Sequence, residues 1–282
     1  MSDDRFSTQQ PADKDAYTDF SEDMIYGDYL QLNKILNAQF PISGEHDEML
    51  FIIIHQATEL WLKLVLHEVV AAQNLLTQKD IRASFKMLAR VARIQKQMIQ
   101  SWDVLSTLTP ADYLSFRDDL GKASGFQSFQ YRAVEFALGN KHPAMMKPHE
   151  HDSDKHKALN ELYHGPSMYD RVVQLLDVAD LGIPHNLVER DFSQPYESND
   201  YVRNAWKTIY TNTDKYWNLY ELAEKLVDLE DSFLQWRFRH MKTVERVIGF
   251  KRGTGGTSGV NYLKKALDIR FFPELWELRT EL

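Results

Sequence analysis

The chain has 282 residues and a formal net charge of −8, with 43% apolar and 26% charged residues. That length supports a sizeable core in one large domain or two small ones. The acidic balance argues against a general binder of nucleic acid or anionic membranes. The absence of cysteine excludes disulfides, thiolate–metal sites, iron–sulfur clusters and a cysteine nucleophile, in keeping with a reducing cytoplasm.

The first stretch, MSDDRFSTQQPADKDAYTDF, is polar and acidic and lacks the apolar run of a signal peptide. Residues 1–18 are expected to be disordered or loosely attached, and one domain is expected over 19–282. Ser21 offers a cap, and Tyr26, Tyr29, Leu30 and Asn33 follow at helical spacing. After a break at Pro41–Gly44, a long helix is predicted from about His46 to Leu76. Its apolar run, Met49–Ala72, is interrupted by His55, Gln56, Glu59, Lys63, His67 and Glu68, too often for a membrane span. It reads instead as a helix buried on most sides.

Asp80 caps the next helix, expected to reach about Leu108. Thr109-Pro110-Ala111-Asp112 combines a capping hydroxyl, a proline in the first turn and an acid at the third position, and so starts a short helix ending near Gly121. GKASGFQS is a loop. Phe129–Leu138 is helical and closed by Gly139-Asn140. The histidine-rich stretch from His142 to His164 reads as loop and short helix, and Ser167–Ala179 as amphipathic helix. One or two long helices follow over Asp200–Ile248, then Ser258 caps a helix over Val260 to about Asp268, and Pro273 opens a last short one. Sustained two-residue alternation and hairpin dipeptides are missing, so the fold is predicted all-α: a single helical bundle with long core helices.

Several constellations could carry chemistry. Phe233, Trp236, His240, Val244 and Val247 recur at three- and four-residue steps and line one side of a helix, with Arg237, Arg239, Lys242 and Arg246 as solvent-side candidates. An imidazole turned into an apolar layer needs a partner: a metal, a haem iron, a backbone carbonyl or a water. Phe51 and His55 share a face of the long helix, Tyr113 and Arg117 repeat that spacing, and Tyr26, Tyr29 and Leu30 form a third set. Aromatic residues at such spacing also serve simply as core. The loop from Lys251 to Gly259, KRGTGGTSG, could hold an anion on its amides or be a flexible surface loop. It fits neither a P-loop nor a dinucleotide fingerprint. Only Glu161-Leu162-Tyr163-His164 has Glu-x-x-His spacing, which disfavours a di-iron bundle, and HExxH and GxSxG are absent.

Taken together, the blocks YGDYL (26–30), HDEMLFIIIHQATELWLKL (46–64), FRDDLGKASGFQSFQYR (116–132), NTDKYW (212–217), WRFRHMKTVERVIGFKRGTGGTSGV (236–260) and FFPELW (271–276) resemble the tryptophan 2,3-dioxygenases. These are tetrameric haem enzymes that open the indole ring of L-tryptophan with O₂. The segment from His142 to Asp200 matches least. The resemblance implies haem b, active as ferrous iron, with His240 as proximal ligand. It puts His55 on the distal side, accepting a hydrogen bond from the indole N–H, with Phe51, Ile52, Ile53 and Ile54 flanking the substrate. It implies that Arg117 pairs with the substrate carboxylate beside Tyr113, that Thr254 binds the ammonium and carboxylate groups, and that Ser124 and Gly125 line the pocket. Tyr26, Tyr29 and Leu30 would enter the site of a neighbouring subunit in a homotetramer, a dimer of dimers with intertwined N-terminal helices. The product would be N-formyl-L-kynurenine, the first step of tryptophan degradation, in the cytoplasm, without nucleic acid or membrane as partner. Two rivals keep the same pattern: a non-enzymatic haem or tryptophan sensor, and a helical scaffold with no cofactor.

Overall fold

The computed structural model describes residue 13 and residues 15–282, so most of the loosely attached segment expected over 1–18 lies outside the described residues. These fall into two compact units, one ending at Phe40 and one running Pro41–Leu282. Every regular element among them is helical, so the all-α reading holds.

The first unit contains two short helices, α1 (Tyr26–Tyr29) and α2 (Leu32–Leu36). They are separated by Gln31, held left-handed at φ 53°. Ser21 caps neither of them; α1 begins after extended Ile25 with no side-chain cap. Tyr26 and Tyr29 are 75% and 73% exposed.

The second unit is built on three long helices: α3 (Glu48–Thr77), α4 (Ile81–Leu105) and α11 (Trp217–Ile248). A three-residue turn joins α3 to α4, so the two run antiparallel, and Asp80 caps α4 by accepting from the Ala83 amide at 3.1 Å. Arg82 meets Asn218 at one end of α4 and Asp103 meets Arg239 at the other, so α11 runs parallel to α4. Leu62, Val65, Val69, Ala72 and Leu76 on α3 share one core with Leu88, Val91, Met98, Trp102 and Leu105 on α4, and α4 in turn packs against α11. The first half of α3 is less covered than its sequence suggests, since the buried stripe begins only at Leu62. By length and composition α3 could cross a bilayer. Its polar residues are nevertheless spent inside the fold: Glu68 pairs with Arg90 at 2.5 Å and Gln73 donates to the Ala137 carbonyl at 3.0 Å.

Shorter helices close the bundle. The predicted Thr109–Asp112 capping box starts α5 (Pro110–Phe116), after which turns carry the chain to Gly121. Ser128 caps α6 (Phe129–Leu138), and Gly139 at φ 122° ends it. Beyond it, α7 (Ser153–His164) is longer than expected, and a Ser167–Asp170 capping box opens α8 (Met168–Val178). Helices α9 (His185–Val188) and α10 (Asp200–Thr211) lead into α11; α12 (Val260–Ala266) and α13 (Pro273–Glu277) complete the chain.

Arg237 corrects a sequence expectation. Placed among solvent-side candidates, it is 4% exposed and pairs with Glu135 of α6 at 2.8 Å. It also donates to the Tyr131 hydroxyl and to the Ala266 carbonyl that ends α12. A charge that far from water persists only when paired and fully hydrogen-bonded. Glu135 keeps Arg132 as a second partner, so Arg237→Met is expected to cost about 3 kcal/mol, at the low end for a broken buried pair. Urea denaturation of the two proteins measures the difference, and a loss within error of zero would contradict the anchoring role.

Candidate active site

One turn after Arg237, α11 presents His240. Its ring stacks on Trp102 of α4, with centroids 4.8 Å apart and planes 10° apart, and Trp236 lies 5.6 Å away, itself packed against Trp102. His240 makes no hydrogen bond among the described residues. Burial in this apolar cage pushes its pKa down to about 4, and the nearby His55 adds to the shift. The imidazole is therefore neutral near pH 7, with an uncommitted lone pair.

His55, on α3, is close enough to act electrostatically on His240, so the two imidazoles share one region of the bundle. The Nδ1 of His55 lies 2.6 Å from the Phe51 carbonyl, which can only accept, so Nδ1 carries the proton and Nε2 is left as an acceptor. Desolvation lowers the His55 pKa as well. Phe51 sits against this ring at 4.2 Å and extends the cluster to Tyr113 at 5.8 Å and Phe116 at 5.6 Å. Ile54 packs partly buried beside Phe51. Ile53 does not join them: it is two residues, about 200° of helix turn, from Phe51, and is 47% exposed. Ile52, about 100° round, is half-buried on the flank.

At the C-terminal end of α5, Arg117 bonds the Tyr113 hydroxyl and donates to the Arg252 carbonyl at 2.8 Å, while its Nε is buried without a partner. Its contact with exposed Asp118, at 3.6 Å, is peripheral. The loop from Lys251 to Gly259, read as an anion cradle or a flexible surface loop, folds on itself. The Gly253 amide donates to the Thr257 carbonyl and the Gly256 amide to Gly253, so those donors are spent. Thr254 donates to the Ala123 carbonyl at 2.5 Å. Gly255 passes so close to Ser124 that a Cβ there would lie 2.7 Å from the serine Cβ. Gly259, at φ 62°, begins α12 in place of the expected cap Ser258, because a side chain at that position would run into the Lys251 carbonyl. Ser124 caps the short 3₁₀ turn Gly125–Gln127, which brings both predicted residues under the loop.

Thus His55, Phe51, Tyr113, Arg117, Ser124, Gly125 and Thr254 form one wall, joined through α3, α5 and two loops, and His240 faces it from α11. Sequence reading missed Phe116 and Trp102. Neither carries a local signal, since each enters only through the packing of its helix. No group of three or more His, Asp or Glu side chains able to hold a bare metal ion occurs among the described residues. A lone neutral imidazole walled by indoles suits the iron of a large apolar macrocycle, which brings its own four ligands.

A match to the family described as tryptophan 2,3-dioxygenase covers residues 11–208 and 206–282, including the stretch from His142 to Asp200 where the motif resemblance was weakest. The tryptophan 2,3-dioxygenase of Bacillus thuringiensis subsp. konkukian is 56% identical over 270 residues, covering 96% of this chain and 97% of its own. That of Polaromonas sp. is likewise 56% identical, covering 96% and 92%. That of Bordetella pertussis is 51% identical over 279 residues, covering 98% of each.

The depressed imidazole pKa values make the cofactor-free chain acid-sensitive. As pH falls below 6.5 the unfolded histidines take up protons before the folded ones do. Stability is therefore complete above about pH 6.5 and declines until about pH 4, where folded His240 is protonated too. Substituting His240 with leucine is expected to flatten this slope in unfolding free energy measured across the window; an unchanged slope would show that position 240 is not the buried titrating group.

Proposed function

The chain belongs to the tryptophan 2,3-dioxygenase family, and we propose that its bundle carries out the family's reaction with His240 holding the haem and Arg117 and Thr254 gripping the amino-acid head of the substrate. The reaction places both atoms of O₂ across the C2–C3 bond of L-tryptophan's indole and yields N-formyl-L-kynurenine. The observation that carries this reading is the neutral, unbonded His240 imidazole in its aromatic cage, facing a second imidazole whose bare nitrogen can only accept. When bound, the ferrous haem supplies the O₂-binding and activating chemistry. The protein's own groups bind, orient and exclude.

His55 Nε2 is the acceptor for the indole N–H. Its lowered pKa makes it a weaker base than free histidine, while the indole nitrogen lone pair can drive attack at C3 without prior deprotonation. Orientation rather than proton removal is therefore its role. Phe51 and Ile54 wall the ring, Tyr113 supports Arg117, and Ser124 and Gly125 close the pocket beneath the 251–259 loop. Arg117 and Thr254 now donate to backbone carbonyls. A carboxylate offers a charged acceptor in their place, and charge-assisted hydrogen bonds are roughly twice as strong as neutral ones.

Magnitudes separate affinity from selectivity. Burying an indole of about 200 Å² at about 25 cal/mol per Å² supplies roughly 5 kcal/mol before the costs of association. Any indole gains that. A buried Arg–carboxylate pair, whose truncation costs about 2–5 kcal/mol, distinguishes the amino acid from indoles without its head. Tyr26, Tyr29 and Leu30 complete the site of a neighbouring subunit in a homotetramer, a reading supported by the exposure of both tyrosines. The cysteine-free composition supports a cytoplasmic setting.

The direct test is to load the chain with haem, record its visible spectrum, reduce it without oxygen, and add L-tryptophan and O₂. Formylkynurenine is the expected product; haem binding without turnover would leave only a sensor, and no haem spectrum would leave a scaffold. Arg117→Ala is expected to raise KM for L-tryptophan roughly thirty-fold or more, and an unchanged KM would refute the clamp. His55→Ala is expected to retain haem and substantial turnover. Complete inactivation with intact haem and substrate affinity would instead make His55 an obligatory base.

A further inference from the structure

Trp102 touches neither the distal wall nor the substrate-gripping loop, yet it makes the closest and most parallel ring contact of His240, at 4.8 Å and 10°. Its position is doubly fixed. It lies on the buried stripe of α4 with Met98 and Leu105, and its other ring contact is tilted packing on Trp236 at 5.7 Å. Trp236 is in turn braced by Tyr131 at 5.5 Å, and the Tyr131 hydroxyl accepts from buried Arg237. The indole N–H of Trp102 is buried without an acceptor. No hydrogen bond to protein therefore explains a tryptophan here; the flat face does.

An imidazole on a long helix can rotate about χ2, because that torsion is broad and roughly two-fold. Since His240 Nδ1 has no hydrogen-bond partner among the described residues, the usual device that fixes a ligating histidine, a bond from its second nitrogen to a carbonyl or carboxylate, is missing. We propose that Trp102 is the positioning residue for His240: its indole face takes over that task by stacking and sets the plane in which the imidazole meets the iron. The proposal rests on His240 being the proximal ligand.

Its test compares three variants in the haem-loaded chain. Trp102→Phe keeps an aromatic face, smaller by one ring, and removes the unused N–H. Trp102→Leu removes the face, with Trp102→Met in its place should the leucine variant not fold. Leu88→Ala opens a cavity about fourteen residues, or roughly 21 Å, further down α4 and serves as the packing control. The iron–histidine stretching band of the reduced protein and the rate of haem transfer to apomyoglobin are read for each.

Trp102→Phe is expected to keep the band and to lose haem within about twofold of the parent rate. Trp102→Leu should shift or broaden the band and release haem roughly tenfold faster, within the range seen for outer-shell changes. Leu88→Ala should lower the melting temperature while leaving the band in place. A leucine or methionine variant with an unmoved band overturns the proposal, as does a phenylalanine variant that behaves like leucine. If the parent protein shows no iron–histidine band, or keeps its axial spectrum in His240→Ala, the failure lies with His240 as ligand and not with Trp102.

Discussion

Helix α11 must bury a carboxylate, a guanidinium and an uncharged imidazole on one side, and that requirement fixes its rotation and its register. Glu230 accepts from the Phe271 and Phe272 amides and from the Trp276 indole, while Arg237 engages Glu135, Tyr131 and the Ala266 carbonyl. In a low-dielectric interior each of these contacts is costly to leave unmade. A turn of the helix by one residue would strand several of them together. His240 stands three residues beyond Arg237, about 60° round the axis, so the ion pair that locks the helix also aims the imidazole. The same contacts hold the C-terminal segment and α12 against α11, so the 251–259 loop is strung between fixed posts.

The opposite wall is held quite differently. Arg117 and Thr254 reach across to backbone carbonyls by single hydrogen bonds, and Gly255 lets the loop lie against Ser124. A neutral bond such as that of Thr254 contributes only about 1 kcal/mol, and a guanidinium–carbonyl bond such as that of Arg117 about 1.5–3 kcal/mol. A ligand bearing a carboxylate can exchange them for stronger ones at little cost in protein structure. In the proposed reading, the side that would hold the haem thus resists deformation, and the side that would meet the substrate yields to the right head group. Shape selects an indole, and charge selects the amino acid.

Much of this was legible in the chain because local chemistry dictated it. Asp80, the Thr109–Asp112 box and Gly139 mark helix ends through capping acceptors and positive φ that short-range sequence supplies, and the structure places those ends accordingly. His240 stood out because an imidazole on an apolar face demands a partner, and His55 because it shares a helix face with Phe51. Arg237 was misplaced because an arginine beside Arg239 and Lys242 looks solvated, and only the arrival of Glu135 from α6 reverses that. Gly259 displaced Ser258 as the start of α12 because the Lys251 carbonyl, eight positions earlier, occupies the space a side chain would need. Trp102 and Phe116 were silent for the same reason: their meaning lies in which helix packs beside them.

The apolar surface of α3 bears on the proposed assembly. Met49, Ile53 and Leu60 fall on one flank of the helix, turned away from the buried stripe that starts at Leu62, and all three are exposed. Their spacing of four and seven residues is that of a helix face made to be covered. Scattered apolar residues on a surface need no explanation, but three on one face of the helix that carries Phe51 and His55, interrupted only by Gln56, do. A second chain laid along this row would remove it from water and would hold the His55 face of α3 still, tying the order of the substrate wall to association. Separately, the exposed tyrosines of α1 supply aromatic area with little conformational entropy to lose, which suits them to fill a pocket from outside. Both features support the proposed assembly, in which a neighbour completes the side of the site that would adapt to the substrate, whereas the side that would hold the haem is built within one chain.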